Sequence, residues 1–470
     1  MRVTRRLPGV GWACVLAAVA WAAAAVGAAA ERPNVVLILA DDLGYGDVGF
    51  NGCQDIPTPH LDALAAGGVR FANGYSSHPF CSPMRAALMA GRYQHRFGYV
   101  NNVAFDPHNQ LMGLPASEVT VASRLQKAGY HTGMVGKWHL GAASPFHPLN
   151  RGFEFFYGFL GGGHDYFEVD TTAQLSENYK AALDDNGSPA DLDGYLTEVL
   201  TDQAIAFLEQ QDEAPFFLFV AYNAPHGPLQ APEEVIARFS SIENPQRRTY
   251  AAMVSVMDEQ IGRLMATLER QGHREKTLVC FLSDNGGPEK ANASDNGPLR
   301  GQKGDVFEGG IHVPFLMNMP GTLPAMVFEE PVISFDLSQT ALELAGAESV
   351  GGGDAVNLMP YLLGERDGPP HDALFWRMAN HRRTAVRQGT FKLDVIDGQA
   401  MLFDLDADLG ETSDLADTHG TTVAEMTGLF ERWNERNKPA IFPGYSDYHL
   451  QLKAFHQEVL DAAQAEDSEP

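Results

Sequence analysis

Four short apolar runs, each ending abruptly in polar residues, constrain this chain more than any other feature. Val35 to Ala40 (VVLILA) runs straight into Asp41-Asp42, and Thr277 to Leu282 (TLVCFL) ends in Ser283-Asp284-Asn285-Gly286. His131 to Val135 leads into Gly136-Lys137-Trp138-His139, and Phe216 to Tyr222 (FFLFVAY) leads into Asn223-Ala224-Pro225-His226. Apolar runs of this length bounded by turn residues and alternating with helix-spaced segments describe strands buried on both faces. The expected fold class is therefore α/β, a large, mostly parallel sheet sandwiched by helices. In such sheets ligands bind outside the carboxyl ends of the strands. One edge of this sheet should thus gather carboxylates, an amide, a lysine and two histidines.

The intervals between the runs read as helices. Pro59 to Gly67 and Val119 to Ala128 carry helical spacing, and Pro245 to Arg270 places Met253, Val256, Met257, Ile261 and Leu264 on one core face. The methionines there read as packing. Met84 to Ala90 is expected to form a helix starting just after Cys81, which puts that cysteine at a helix N-terminus, where free N–H groups favour an anion. Asp336 to Leu344 should be helical, and Gly351 to Gly353 then breaks the pattern. Beyond it, Ala373 to Trp376, Thr384 to Arg387, Phe391 to Val395 and Met401 to Leu405 predict a smaller antiparallel sheet, with Val423 to Trp433 as a helix packed on it. The 470 residues divide on this reading into a leader, 1–30, a catalytic α/β domain, 31–350, and a C-terminal α+β subdomain, 351–470, whose acidic last residues, from about Ala463, are expected to fray.

Arg2, Arg5 and Arg6 precede an apolar run from Gly9 to Ala30 that ends in small residues, the layout of a secretory signal peptide cleaved before Glu31. A retained anchor is the alternative, since the run approaches the ~20 apolar residues that span a bilayer. The small residues favour cleavage, no other segment is apolar enough to cross, and an exported protein, periplasmic or extracellular, is expected. The formal net charge of −27 argues against nucleic acid as a partner, and an anionic ligand would need a locally cationic pocket. With Cys14 lost in the leader, Cys53, Cys81 and Cys280 remain. Cys280 lies inside an apolar run and reads as a buried thiol, with a Cys53–Cys280 disulfide as the alternative.

Asp41, Asp42, Asp284 and Asn285 offer oxygen without sulfur or imidazole, a set suited to a hard cation; calcium tolerates irregular oxygen shells better than magnesium does. Asp-Asp and Asp-Asn-Gly are also plain turn formers. Lys137 and His139 stand two residues apart, so extended backbone directs both to the same side. His226 sits in Pro225-His226-Gly227-Pro228, where prolines fix the loop around an imidazole able to donate a proton near neutral pH.

Cys81-Ser82-Pro83-Met84-Arg85, followed by Ala86 to Arg92 (AALMAGR), resembles the maturation signature of type I sulfatases, a branch of the alkaline phosphatase superfamily. The resemblance extends to Gly136–Gly141 (GKWHLG), to Lys303 in Leu299-Arg300-Gly301-Gln302-Lys303-Gly304, to Glu308-Gly309-Gly310-Ile311-His312-Val313-Pro314, to Phe335-Asp336-Leu337 and to Leu402-Phe403-Asp404-Leu405. It implies an alkaline phosphatase-like fold and a sulfuric ester hydrolase, in which a maturation enzyme oxidises Cys81 to formylglycine. It further implies that Asp41, Asp42, Asp284, Asn285 and residue 81 hold Ca2+, and that Arg85, Lys137 and Lys303 bind the sulfate oxygens. On the same resemblance His139 assists sulfate release, His226 is the general acid for the leaving alcohol, and Asp284 helps to activate the hydrated aldehyde. Met84 stands where the signature usually carries a smaller residue, and His312 stands where arginine is expected. Gly161-Gly162-Gly163-His164-Asp165-Tyr166 and Pro225 to Pro232 (PHGPLQAP) resemble sulfatases of sulfated amino sugars, notably N-acetylgalactosamine-4-sulfatase. Substrate contacts from His164, Asp165, Trp376 and Arg377 to a sulfated carbohydrate follow from that resemblance. A phosphodiester or phosphonate hydrolase of the same superfamily, and a non-catalytic sulfoglycan-binding protein, are the alternatives.

Overall fold

The computed structural model describes residues 32–170, 179–379 and 381–444. The expected leader, 1–30, and the acidic tail lie outside the described residues. A ten-stranded sheet forms the centre of the molecule. Its middle is five adjacent parallel strands: β1 (Asn34–Ala40), β2 (His131–Lys137), β3 (Phe155–Phe159), β4 (Phe216–Ala221) and β5 (Thr277–Ser283), in the spatial order β5-β1-β4-β2-β3. The four polar-ended runs are thus four neighbouring strands, in register at their carboxyl ends, with Ala40 opposite Ser283 and Leu39 opposite Ala221. The edges turn antiparallel. Phe315–Asn318 pairs antiparallel with β5, and Leu183–Asp185 pairs antiparallel with β3. The sheet is therefore mixed around a parallel core.

The runs lack polar alternation because both faces are covered. Val35, Leu37 and Leu39 of β1 enter one core, and Val36, Ile38 and Ala40 enter the other. Fully burying each of these valine, leucine and isoleucine side chains contributes roughly 1.5–3 kcal/mol. The first core is closed by α2 (Cys81–Ala90), α3 (Val121–Lys127) and α6 (Asp336–Leu344); the second is closed by α1 (Pro59–Ala66), α4 (Leu196–Glu209) and α5 (Pro245–Arg270). The start of α5 is set by Asn244, whose side chain accepts from the N–H groups of Gln246 and Arg247, and by Pro245 in the first turn. Met253 and Met257 of α5 are fully buried packing residues. Helix α2 begins at Cys81 itself, three residues before the expected Met84, with extended Phe80 as its N-cap. Pro83 is tolerated there because first-turn N–H groups have no helical acceptor.

The smaller sheet is antiparallel, β6 (Leu374–Arg377), β7 (Arg383–Gln388), β8 (Phe391–Ile396) and β9 (Gln399–Asp404), with α7 (Gly420–Asn434) against β7 and β8. Trp376 of β6 is fully buried against Tyr75, with ring centroids 5.2 Å apart, and its indole N–H donates to Ser76 O at 2.8 Å. Cys53, Cys81 and Cys280 are all free thiols, so the Cys53–Cys280 pairing is not formed. No helix among the described residues is long and apolar enough to cross a membrane.

Candidate active site

The turns after β1 and β5 interlock. Asp284 N–H donates to Ala40 O at 3.0 Å, Asp42 N–H to Asp284 Oδ1 at 3.2 Å, and the Asn285 amide to Asp42 Oδ1 at 2.7 Å. Asp42 adopts a left-handed φ of 65°, which turns its carboxylate back over the strand ends. One ligand atom each from Asp41, Asp42, Cys81 and Asp284 lies within 4.8 Å of the others, and all four residues are buried. Asn285 Oδ1 is buried beside them with no hydrogen-bond partner. An orphaned amide oxygen next to three converging carboxylates fits a hard cation, since leaving such an acceptor dry and unpaired costs about 1–3 kcal/mol.

Three cations interleave with the acids. Arg85, one turn into α2, donates from Nε and Nη2 to Asp284 Oδ2 at 3.2 and 2.9 Å and from Nη1 to Lys137 O at 2.8 Å. Lys137, at the end of β2, pairs with Asp41 Oδ2. Lys303 Nζ lies 2.6 Å from Asp42 Oδ1 and 3.2 Å from Cys81 Sγ, and Cys81 Sγ is 3.4 Å from Asp41 Oδ1. Lys303 reaches in because its loop packs without side chains between. A Cβ on Gly286 would lie 1.8 Å from Gly309 O, and one on Gly310 would lie 2.1 Å from Asp305 O. The Glu308-Gly309-Gly310 motif is thus a close backbone contact that seats the lysine loop on the Asp284–Asn285 turn.

The two histidines flank this cluster. His139, with a left-handed φ of 56°, points Nε2 toward Val103 O at 3.2 Å and leaves Nδ1 buried without a partner. His226 Nδ1 lies 2.6 Å from Gly227 O, and its Nε2 faces Asp42 Oδ2 at 3.7 Å. Burial, outweighing Asp42 and reinforced by Lys137 and Lys303, lowers His226 to about 3. Burial, then Lys137 and Arg85, hold His139 well below its ordinary value. Burial works to raise Asp42, but Lys303 and His226 bring it to about 2, whereas burial and then Asp41 push Asp284 up to about 6 against Arg85. Burial, then Asp284, raises the Cys81 thiol far above its usual value. The unmodified sulfur is therefore protonated and a poor nucleophile.

The remaining expected residues take other places. Both ring nitrogens of His164 meet backbone carbonyls, Asp165 O at 2.6 Å and Ala181 O at 2.8 Å. The Asp165 carboxylate accepts from the N–H groups of Phe167 and Glu168 and from the Gln230 amide. These two side chains brace the loop. Trp376 and Arg377 are not brought to the cluster: Trp376 is sealed against Ser76, and Arg377 donates to Asn434 Oδ1 at 2.5 Å and Lys438 O at 3.2 Å. Their burial at the seam with the smaller sheet corrects the expectation that they close a subsite. His312, which lacked a role, spans Glu308 Oε2 at 2.9 Å and Ala72 O at 2.9 Å. Tyr179, unforeseen from the sequence, stands edge-on to His226 with ring centroids 6.2 Å apart.

Known proteins resemble this chain over most of its length. The family model described as Sulfatase matches residues 33–347. Mouse arylsulfatase J is 40% identical over 307 residues, 62% of this chain and 50% of that protein, so the match spans half of that relative's length. Human N-acetylgalactosamine-6-sulfatase is 34% identical over 414 residues, 79% of this chain and 76% of that protein. The solved structure of Ps i-CgsB in complex with k-i-k-neocarrahexaose superposes with a TM-score of 0.84 at 36% identity, covering 90% of this chain and 97% of that one. Taken with the cluster at the strand ends, these matches place the chain in the sulfatase family, whose members hydrolyse sulfate esters.

Proposed function

We propose that this protein removes sulfate from a sulfated carbohydrate, using a formylglycine made from Cys81 as nucleophile and Ca2+ as resident metal. The observation that carries this reading is the position of Cys81 Sγ, at a helix N-terminus between Asp41 Oδ1 and Lys303 Nζ. A thiol whose pKa is raised by burial gains nothing from such a setting, whereas an oxygen aimed at a bound sulfuryl group gains from every neighbour. The hydrated aldehyde supplies an oxygen nucleophile to sulfur and a second hydroxyl whose deprotonation later expels sulfate. Asp41, Asp42, Asp284 and Asn285 would hold Ca2+, which supplies Lewis-acid neutralisation of sulfate oxygens.

The chain's own groups divide the remaining work. Arg85 and Lys137 orient residue 81 and the sulfate, and Lys303 binds the sulfate and the bridging oxygen. A guanidinium locked on Asp284 and on a backbone carbonyl keeps its charge and its direction. His226 delivers a proton to the departing alcohol; the incoming sulfate anion favours the protonated imidazole that burial otherwise disfavours. His139, buried and neutral, accepts the proton of the remaining hydroxyl through Nδ1, the nitrogen free of a partner.

The carbohydrate reading is supported by the relatives named N-acetylgalactosamine-6-sulfatase and by the k-i-k-neocarrahexaose bound in the neighbouring structure. Export through the leader, maturation of Cys81 by a formylglycine-generating enzyme, and a division near residue 350 into catalytic domain and subdomain belong to the same proposal. The test is a panel of defined sulfated sugars assayed for free sulfate, beside an aryl sulfate and an aryl phosphate diester. Release from at least one sugar is expected. Turnover of the phosphate diester alone would point to the phosphohydrolase reading, and binding with no turnover by protein retaining the thiol would point to a sulfoglycan-binding role.

A further inference from the structure

The loop Gly161–Gly163 runs between both catalytic histidines and two aromatic rings. A Cβ on Gly162 would come within 2.9 Å of His139 Nε2, one on Gly163 within 3.2 Å of both His226 Cε1 and Tyr179 Cε1, and one on Gly161 within 3.5 Å of Phe105. Gly163, without a side chain, therefore lets the His226 imidazole and the Tyr179 ring close over the same backbone point. Beside them lies a cavity of ≈170 Å³, lined by Phe105, Leu160, Gly161, Gly163, Ala181 and Pro189. Its walls are chiefly apolar.

Tyr179 is held there at a cost. Its φ of 57° is left-handed, a conformation uncommon for a bulky L-residue. The surrounding loop enforces it. Asp165 N–H donates to Tyr179 O at 2.6 Å, His164 meets Ala181 O at 2.8 Å, and Asp170 N–H donates to Lys180 O at 2.6 Å. This gives the bracing His164–Asp165 pair a purpose, the placement of residue 179. The ring meets His226 nearly perpendicularly, at 83°, and the residue remains 38% exposed at the mouth of the site. An exposed tyrosine on a strained, deliberately braced backbone contributes nothing to a core.

We propose that Tyr179 is a substrate-contacting residue that packs its ring on the apolar C–H face of the sugar carrying the sulfate, beside His226, and so selects a carbohydrate leaving group. This rests on the sulfatase reading of the site, in which His226 protonates the leaving sugar oxygen; whatever touches His226 at the mouth then touches that sugar. A pyranose presents polarised C–H bonds on its faces, and the negative face of an aromatic ring attracts them. The hydroxyl is not needed for this contact.

The test compares wild type, Tyr179→Ala and Tyr179→Phe on the sulfated sugar that wild type turns over. Tyr179→Ala is expected to raise KM about tenfold with kcat changed less than about threefold, the size of one aromatic contact. Tyr179→Phe should keep both constants within about twofold of wild type, and the melting temperatures of all three should agree, because the ring supports no core. An unchanged KM in Tyr179→Ala overturns the inference while leaving the sulfatase reading intact, and so does a Tyr179→Phe enzyme as impaired as Tyr179→Ala. A wild-type enzyme that cleaves only the aryl sulfate overturns the carbohydrate reading and this inference together.

Discussion

Two of the buried charge clusters among the described residues do opposite things. At the strand ends, Asp41, Asp42 and Asp284 face Arg85, Lys137 and Lys303. At the seam with the smaller sheet, Lys392 Nζ lies 3.0 Å from Glu308 Oε1, 2.8 Å from Glu411 Oε1 and 3.8 Å from Asp394. Glu308 Oε2 also accepts from Tyr75 at 2.6 Å and meets His312 at 2.9 Å. The seam side chains Lys392, Glu308, Asp394 and Glu411 are completely sealed, whereas the side chains of Lys303 and His226 in the first cluster are 14% and 15% exposed. Both clusters keep polar atoms without hydrogen-bond partners, Asn285 Oδ1 and His139 Nδ1 in the first and Glu308 Oε1 and both Asp394 carboxylate oxygens in the second. Burial and mixed charge alone do not mark a site, and neither do unpaired polar atoms; a route to solvent separates the two clusters.

Breaking the first cluster should abolish chemistry and spare the fold. Cys81→Ser is expected to lower turnover by roughly 10⁴-fold or more, as loss of a nucleophile does elsewhere. Lys303→Ala should lower kcat/KM by about 10²–10³-fold, the usual cost of one oxyanion contact. Cys81→Ser should melt with wild type. Breaking the second cluster should do the reverse. Lys392→Met leaves Glu308 and Glu411 buried without their cation and should destabilise the protein by about 3–5 kcal/mol in denaturant titration, while turnover per folded molecule stays within about threefold.

The smallest effect comes from a single pair. His371 Nε2 lies 2.8 Å from Asp336 Oδ2 at the start of α6. Burial opposes the imidazolium, but Asp336 wins and raises the His371 pKa above 6.5. Its stabilisation is therefore full below pH 6.5 and is lost as pH rises through the raised value. Melting curves of wild type and His371→Gln should converge at alkaline pH and diverge at acid pH; parallel curves would reject the pair.

What the sequence disclosed follows the physics of each segment. β1, β2, β4 and β5 were legible because a strand covered on both faces must be apolar throughout, and the polar residues after each run fell at one edge by topology alone. The outer strands were not, because segments such as Val69–Phe71 and Met326–Phe328 are three residues long and the latter leaves Met326 and Val327 exposed. Asp41, Asp42, Asp284 and Asn285 could be gathered from strand ends, but Lys303 comes from a loop with no periodicity and was legible only through its motif. Trp376 and Arg377 misled because an aromatic beside an arginine reads alike at a buried seam and at a subsite. Tyr179 carried no signal at all: its position depends on a left-handed backbone and on carbonyls held by His164 and Asp165.

The claim beneath all of this is that residue 81 works as an oxygen nucleophile and not as a thiol. Mass spectrometry of the peptide carrying residue 81, taken from active enzyme made in a host that matures such cysteines, tests it directly. The account predicts that the sulfur is gone and an aldehyde stands in its place, in proportion to specific activity across preparations. Full sulfatase activity from protein that retains the Cys81 thiol throughout would contradict it.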